Sequence, residues 1–234
     1  MIGSDTPTTL ALCCQLPAGM SSRDLDTCFA FGDGGMPVSW IVPPGLIREA
    51  TARSAASGRP ASLAVEIPPE SAGGTLRSVL EQTRAAAPGI DAAWISGGLG
   101  APERRLLVTA GIRVAGTSRF DGTRGSRRPP PPGWNCVSTA WGLWEVLWTA
   151  ASPPGPFPWN RRGMGARGSL TVVNVTAGGT VDVATLCGRL DRWRSWAGRR
   201  LTTGQLVCVS FSDLPGLIAG TARRPAVGSI LRAA

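Results

Sequence analysis

Two carboxylates stand four residues apart at a point where β/α proteins place functional groups. Glu66 lies near the end of a predicted strand, residues 61–67, and Glu70 follows it. Such a pair could hold a hard cation weakly, or could act as a general acid and base. The alternative is structural, with Glu66 paired to an arginine and Glu70 placed before the next helix. Glu66 and Glu70 are therefore the candidate catalytic residues, and no third metal ligand is evident beside them.

The composition excludes several kinds of chemistry. The 234 residues include no His, and all 24 Lys+Arg residues are Arg. Catalysis by an imidazole base, activation of Ser or Cys by His, and metal sites that need imidazole are therefore excluded. Six cysteines occur without a CxxC spacing. Five of them stand in apolar runs, which predicts buried thiols rather than a zinc ribbon or a disulfide framework.

Two amide side chains are candidates for ligand binding. Gln15 lies near the end of the first predicted strand, residues 8–16, and Asn174 lies inside an apolar strand, residues 169–176. A buried amide needs hydrogen-bond partners. At the mouth of a barrel, a sugar hydroxyl could be such a partner.

Aromatic and cationic residues give two further hypotheses. Five tryptophans lie between residues 134 and 159, and of these Trp141 and Trp159 are the candidates for stacking on a ligand. Tryptophan equally fills cores or anchors loops. The net charge is +9, and Arg pairs stand at 104–105, 127–128, 161–162 and 199–200. These pairs could bind an acidic polymer, although a solvated surface is the simpler interpretation. A nucleic acid is the less favoured partner.

Short apolar runs alternate with amphipathic stretches, which predicts βα units and a mainly parallel sheet. The predicted strands cover residues 8–16, 37–42, 61–67, 91–96, 112–117, 141–149, 169–176 and 206–211. Ser22 is predicted to cap the first helix. The fold class is α/β, and a deformed (β/α) barrel of about seven strands is favoured over a doubly wound sheet. We expect one domain, residues 1–234, with an Arg/Pro-rich loop insertion at about 121–133.

Two other signals are weak. The stretch GGLG at 97–100 separates a strand from a helix but has neither the GxGxxG nor the GK[ST] pattern, so a nucleotide site is not predicted. The sequence shows no convincing signal peptide and no apolar stretch of membrane-spanning length. We therefore expect a cytoplasmic protein without a membrane span.

Four stretches resemble the polysaccharide deacetylase (NodB-homology, carbohydrate esterase) family. They are residues 90–117, with AGI before a strand, PVSWIVPPGL at 37–46, GLWEV at 142–146 and VSFSDLPGLIA at 209–219. The resemblance spans residues 8–219. It implies a deformed β/α barrel whose relatives use a divalent metal to deacetylate a glycan.

The family's specific motifs are replaced in this sequence. Its two Asp residues at the end of the first strand correspond to Cys13-Cys14-Gln15-Leu16, and its HxxxH motif corresponds to Glu66 and Glu70. Its late-strand His corresponds to Asn174 or a neighbouring residue, and its RPP turn is replaced by a stretch that starts at Trp94. A metal hydrolase needs strong ligands, an open coordination position and a base. We therefore expect the metal and the deacetylation to be lost, and no cofactor is predicted.

Three functions remain open. The favoured one is a non-catalytic, deacetylase-like pseudoenzyme that binds a glycan or a partner at the barrel mouth. The second is a remodelled carbohydrate-active hydrolase that uses Glu66 and Glu70. The third is an Arg-rich polyanion or nucleic-acid binder that uses residues 119–167.

Overall fold

Strands and helices alternate along most of the chain. A computed structural model describes residues 7–32, 35–57, 61–69, 73–120, 134–139, 142–150, 169–176 and 182–222. The strands within these residues are β1 Thr8–Gln15, β2 Ser39–Val42, β3 Ser62–Ile67, β4 Ala92–Ile95, β5 Val114–Thr117, β6 Cys136–Ser138, β7 Trp144–Leu147, β8 Thr149–Ala150, β9 Leu170–Thr176 and β10 Leu206–Val209. The α-helices are α1 Ser22–Gly32, α2 Ile47–Ala56, α3 Gly73–Ala86, α4 Ala101–Thr109, α5 Val183–Thr202 and α6 Leu214–Ala222.

The strands form a curled sheet whose ladder runs around a barrel-like circuit. Parallel pairs connect β1 through β2, β3, β4 and β5 to β7, and β1 pairs on its other side with β9. Only Trp148 separates β7 from β8, and β8 pairs in parallel with β9. The β7–β8 segment therefore joins β5 to β9, with seven strands around the circuit. This confirms the predicted α/β class and the deformed barrel of about seven strands.

The two faces of the sheet bury different clusters. On the outer face, Leu10, Leu12 and Cys14 of β1 belong to a core that also contains buried residues of α1 to α5. On the inner face, Ala11 and Cys13 pack in a second core with Trp residues of the sheet and with α6. Burial on both faces explains why the strands read as near-continuous apolar runs.

A buried ion pair ties the outer face to α4. Both Oε atoms of Glu145 on β7 accept hydrogen bonds from Arg104, at 2.5 Å from Nε and 3.1 Å from Nη2. Glu145 is 0% exposed. Arg104 is therefore neither a solvated surface residue nor a cation available to a polymer, which corrects both interpretations for this member of the 104–105 pair, whereas Arg105 is exposed.

Local details of the prediction were partly wrong. Ser21, rather than Ser22, caps α1, because Asp24 N donates to Ser21 Oγ at 3.3 Å and Ser21 N donates back to Asp24 Oδ2 at 3.2 Å. Ser22 Oγ instead donates to Glu49 on α2. The three-residue strand β6, antiparallel to β7, was not predicted.

All six cysteines are free thiols, in agreement with the prediction against a disulfide framework. Of the five that were predicted to be buried, Cys187 and Cys208 are only partly buried. Burial raises the pKa of Cys136 and Cys28 to about 12, which makes these thiols unreactive near neutral pH. Among the described helices, none combines the length and the apolar character that crossing a membrane requires.

Candidate binding site at the mouth of the sheet

Three predicted site residues meet on the inner face, near the carboxyl ends of the parallel strands. Gln15 ends β1, Glu66 is the fifth residue of β3, and Asn174 lies in β9. The register pairs Cys13 with Asn174, so the side chains of β1 and β9 follow the same alternation on this face. Carboxyl ends of parallel strands are where α/β folds assemble functional groups. We call this group of three residues the mouth.

The mouth residues form one hydrogen-bonded chain. Gln15 Nε2 donates to Glu66 Oε1 at 2.6 Å, and Asn174 Nδ2 donates to Gln15 Oε1 at 3.2 Å. An ionised carboxylate only accepts hydrogen bonds, so Glu66 fixes which end of the Gln15 amide faces it. Gln15 in turn fixes the amide orientation of Asn174. The chain therefore has a single direction, from Asn174 to Glu66.

This direction leaves one acceptor unused. Asn174 is 4% exposed, and its Oδ1 has no hydrogen-bond partner among the described residues. An unsatisfied buried acceptor costs about 1–3 kcal/mol, which a donor group arriving at the mouth would recover. Asn174 is thus the one mouth residue with an open hydrogen-bonding position on a buried atom.

Glu66 has an unusual environment for a carboxylate in so basic a protein. Its partner is Gln15 rather than the arginine of the structural alternative. Burial raises the pKa of Glu66 above its ordinary value, and the hydrogen bond from Gln15 opposes that rise. The carboxyl group is therefore easier to protonate than an exposed glutamate.

Aromatic rings fill the inner face next to Glu66. Trp94, which pairs with Glu66 in the register, is 0% exposed and stacks on Trp148 with ring centroids 5.2 Å apart. Trp148 is only partly buried, and its Nε1 donates to the Ile95 carbonyl at 3.3 Å. A Cβ on Gly116 would lie 2.5 Å from the Trp94 ring, so the indole lies across the sheet only because residue 116 is glycine. These contacts hold the wall beside Glu66 in one arrangement.

Trp94 and Gly116 were not among the predicted site residues. The available signal was one bulky aromatic residue in a strand of small residues, DAAWI at 91–95, and a glycine at the matching place of the next strand. Sequence alone gives no register between the two strands, so it could not place that glycine under that ring.

Several predicted residues lie outside the described part of the chain. They are Glu70, Trp141 and Trp159, together with the proposed loop insertion at 121–133 and the Arg pairs at 127–128 and 161–162. The hypothesis of an acidic-polymer site at 119–167 falls mostly on these residues. Their roles stay predictions.

The described mouth residues do not fit the divalent metal that the family resemblance implies. They supply one carboxylate and two amides, and one carboxylate oxygen already accepts from Gln15. Within the described residues, no three His, Cys, Asp or Glu side chains come together in a way that could hold a metal ion. Zinc sites are built from imidazole, thiolate and carboxylate ligands, and of these the mouth supplies a single carboxylate.

Comparisons with known proteins show a likeness in fold only. No family model matches the sequence, and no curated protein does. A family 4 carbohydrate esterase from Streptomyces lividans, in complex with acetate, is similar at a TM-score of 0.44 and 14% identity, covering 88% of this chain and 91% of that one. The Xyl-CE4 domain of a multidomain xylanase from the hindgut metagenome of Trinervitermes trinervoides is similar at 0.40 and 10%, covering 90% and 91%.

A triosephosphate isomerase from Bartonella henselae is similar at a TM-score of 0.40 and 11% identity, covering 81% of this chain and 99% of that one. Similar structures thus include a carbohydrate esterase, a domain of a xylanase and an isomerase. With TM-scores of 0.44 and below, the likeness carries no argument about activity. An argument about function therefore has to come from the residues of the mouth.

Proposed function

We propose that the protein binds a carbohydrate at the mouth of the sheet and does not deacetylate it by metal-dependent chemistry. The observation that carries this proposal is the one-directional chain from Asn174 through Gln15 to Glu66, which ends in an unpartnered, buried Asn174 Oδ1. Such an atom requires a donor, and a hydroxyl group is a donor that needs no charge.

The surroundings of this chain favour a polyhydroxylated ligand over other donors. Gln15 and Glu66 continue the hydrogen-bonded chain that starts at Asn174. A ligand whose first hydroxyl group binds Asn174 would therefore meet further polar groups with its second hydroxyl group. The partly buried Trp148, stacked on Trp94, supplies an aromatic ring of the kind that packs on the apolar side of a sugar. Ligand sites typically combine such an apolar wall with a few fixed polar groups.

The proposed loss of deacetylation follows from the residues available. The sequence has no imidazole to bind a metal or to act as a general acid. Gln15 stands beside Cys14 where the resembling family has acids, and an amide is a weak metal ligand that cannot serve as a base. Elemental mass spectrometry on protein made without a His tag tests this point. We expect no stoichiometric divalent metal, and one zinc, cobalt or manganese ion per chain would overturn it.

Binding is tested with soluble oligomers of N-acetylglucosamine, xylose and glucose by isothermal titration calorimetry. We expect saturable binding of at least one of these probes, weakened about tenfold or more by Asn174→Ala. Asn135→Ala is the matched control, because Asn135 is exposed on the segment before β6. Equal affinities of the two variants, or no binding of any probe, would rule out the proposed site.

The second candidate is the hydrolase hypothesis, and the raised pKa of Glu66 is the observation that favours it. A carboxyl group that holds its proton closer to neutral pH can act as a general acid on a glycosidic or ester oxygen. Glu66→Gln distinguishes the two functions. It would abolish turnover of the same oligomers if Glu66 were catalytic, whereas a binding protein shows no turnover in either form.

A further inference from the structure

A second polar network lies at the other end of the sheet. Ser39 and Ser62 are the first residues of β2 and β3, and a 3₁₀ turn at Phe211–Asp213 follows β10 against them. A cleft of about 470 Å³ opens here, lined by four serines, Asp213 and the aromatic pair Phe29 and Trp40. Its volume lies in the usual range of small-molecule sites, about 300–1,000 Å³. None of its residues takes part in the mouth.

The serine hydroxyls form a relay with two fixed ends. At one end, the Phe211 N–H donates to Ser39 Oγ at 2.7 Å. From there the oxygen atoms of Ser39 and Ser62 lie 3.0 Å apart, those of Ser62 and Ser212 3.1 Å, and those of Ser212 and Ser210 3.2 Å. At the other end, Ser210 donates to a carboxylate oxygen of Asp213.

The two ends set the direction of every hydrogen bond between them. A hydroxyl has one proton, and Ser210 gives its proton to Asp213, so Ser212 must donate to Ser210. Ser62 must then donate to Ser212, and Ser39 to Ser62. The fourth serine of the cleft, Ser57, donates its proton to the Ser54 carbonyl at 2.8 Å.

It follows that all four serine hydroxyls lining the cleft have their protons committed inside the protein. Ser62, Ser210 and Ser212 each accept one hydrogen bond in the relay and keep one free lone pair. These hydroxyls can therefore accept from a ligand but cannot donate to it. A ligand that needs donors, such as a carboxylate or a phosphate, finds none among them.

The carboxylate and the aromatic rings of the cleft also favour a ligand with a cationic end and an apolar part. Asp26, Asp91 and Glu145 each pair with an arginine, whereas no arginine of the described residues forms an ion pair with Asp213. Within the described residues, Asp213 is thus an exposed carboxylate without an ion-pair partner, in a chain with a net charge of +9. Phe29 and Trp40 pack edge to face at 5.7 Å and form the apolar side of the cleft. Such a wall suits the apolar part of a ligand whose polar end meets the serines and Asp213.

We propose that this cleft binds a protonated primary amine carried on a short aliphatic chain. The ammonium group donates to Asp213 and to the free lone pairs of Ser210 and Ser212, and the aliphatic part lies against Phe29 and Trp40. An ammonium has three donors and no acceptor, so it complements a wall of acceptors.

Three probes of the same shape and different charge test this assignment: butylammonium, 1-butanol and butyrate. Each is titrated into ¹⁵N-labelled full-length protein, and the shifts of the Val38, Ser62 and Ser212 amides report binding in the cleft. We expect saturable binding of butylammonium, weaker binding of butanol and the weakest of butyrate. Equal responses to the three probes, or no saturable shift with butylammonium, would overturn the proposal.

Variants separate the charge from the relay. Asp213→Asn keeps an acceptor for Ser210 and removes the charge, so butylammonium should bind about tenfold more weakly. Glu81→Gln removes an exposed carboxylate on α3, outside the cleft, and should change nothing. Ser212→Ala removes the oxygen atom that accepts the Ser62 proton. The Ser62 hydroxyl can then donate into the cleft, so the ratio of the affinities for butylammonium and butyrate should decrease. An unchanged preference in both cleft variants would also overturn the proposal.

Discussion

Two glutamates on strands of one sheet show how differently a carboxylate can be held. Glu145 on β7 points to the outer face, is fully buried and accepts two hydrogen bonds from Arg104. Glu66 on β3 points to the inner face, is partly exposed and accepts from the neutral amide of Gln15. Burial raises the pKa of Glu66, and no guanidinium of the described residues offsets that effect.

The difference separates a structural carboxylate from a candidate functional one. A fully buried charge is tolerable only with a well-placed counter-charge, so Glu145 is held by Arg104, and at 0% exposure it is out of reach of a ligand. Glu66 has one neutral partner and keeps hydrogen-bonding capacity. Four experiments test this contrast, in order of decreasing expected effect.

The largest effect is expected from breaking the buried ion pair between Arg104 and Glu145. Arg104→Met leaves Glu145 buried without a counter-charge, which should lower the free energy of unfolding by about 3–5 kcal/mol. Urea unfolding followed by tryptophan fluorescence measures the change. The double variant Arg104→Met with Glu145→Leu should recover most of the loss, because it buries no charge.

Arg105→Ala is the matched control, since Arg105 is the exposed neighbour of Arg104 on α4. We expect it to cost less than about 1 kcal/mol. If Arg104→Met lowered the free energy of unfolding no more than Arg105→Ala does, the Arg104–Glu145 pair would contribute no more to stability than an exposed arginine.

The second effect concerns the rigid wall beside Glu66. Gly116→Ala places a Cβ 2.5 Å from the Trp94 ring, and forcing the ring aside should cost about 1–3 kcal/mol of unfolding free energy. Near-ultraviolet circular dichroism should change as well, because the stacking of Trp94 on Trp148 is disturbed. Gly188→Ala on α5, where a Cβ meets nothing within 4 Å, should not destabilise the protein.

The third effect depends on pH and has a defined sign. Since the folded protein holds the Glu66 proton more tightly than the unfolded chain, ionisation of Glu66 opposes folding. The stability of the wild type relative to Glu66→Gln should therefore fall as pH rises above 4.5, the ordinary value for this group, and level off above the folded pKa. Urea unfolding of both proteins at several pH values measures the difference, and a difference that grows with pH would contradict the inferred environment.

The smallest effect is a change in titration. Gln15→Met removes the donor that favours the ionised form of Glu66, so the pKa of Glu66 should rise further. Carbon-13 NMR of the glutamate carboxyls follows this directly. Gln82→Met on α3, where the exposed amide donates to Ser78 Oγ, should leave the Glu66 titration unchanged.

The sequence was informative about the strands because a sheet covered on both faces leaves apolar runs that few other structures produce. Residues 8–16 and 169–176 were predicted almost to their ends. The strand β6 was missed because three residues are too few to show a periodicity. The predicted strand at 141–149 was found as β7 and β8, broken at Trp148.

Part of the site was also open to prediction. Gln15, Glu66 and Asn174 were singled out by their polarity near strand ends, and parallel strands bring their carboxyl ends together. The serine relay was not predictable, since three of its hydrogen bonds join residues that are 23, 150 and 172 positions apart. Isolated serines near turns carry no signal of their own, and only the packing of the Phe211–Asp213 turn against β2 and β3 makes them a network.

The pairing between β8 and β9, which we call the seam, is the weakest part of the circuit of strands. Among the described residues, β1 and β9 share seven residue pairs, whereas β8 and β9 share two, Thr149–Val173 and Ala150–Asn174. Local opening starts where the fewest hydrogen bonds must break, so amide hydrogens along this seam should exchange with solvent faster than those between β1 and β9. One of the two pairs contains Asn174. The place where the ladder opens most readily is thus the place where the buried Asn174 oxygen would become accessible to a ligand.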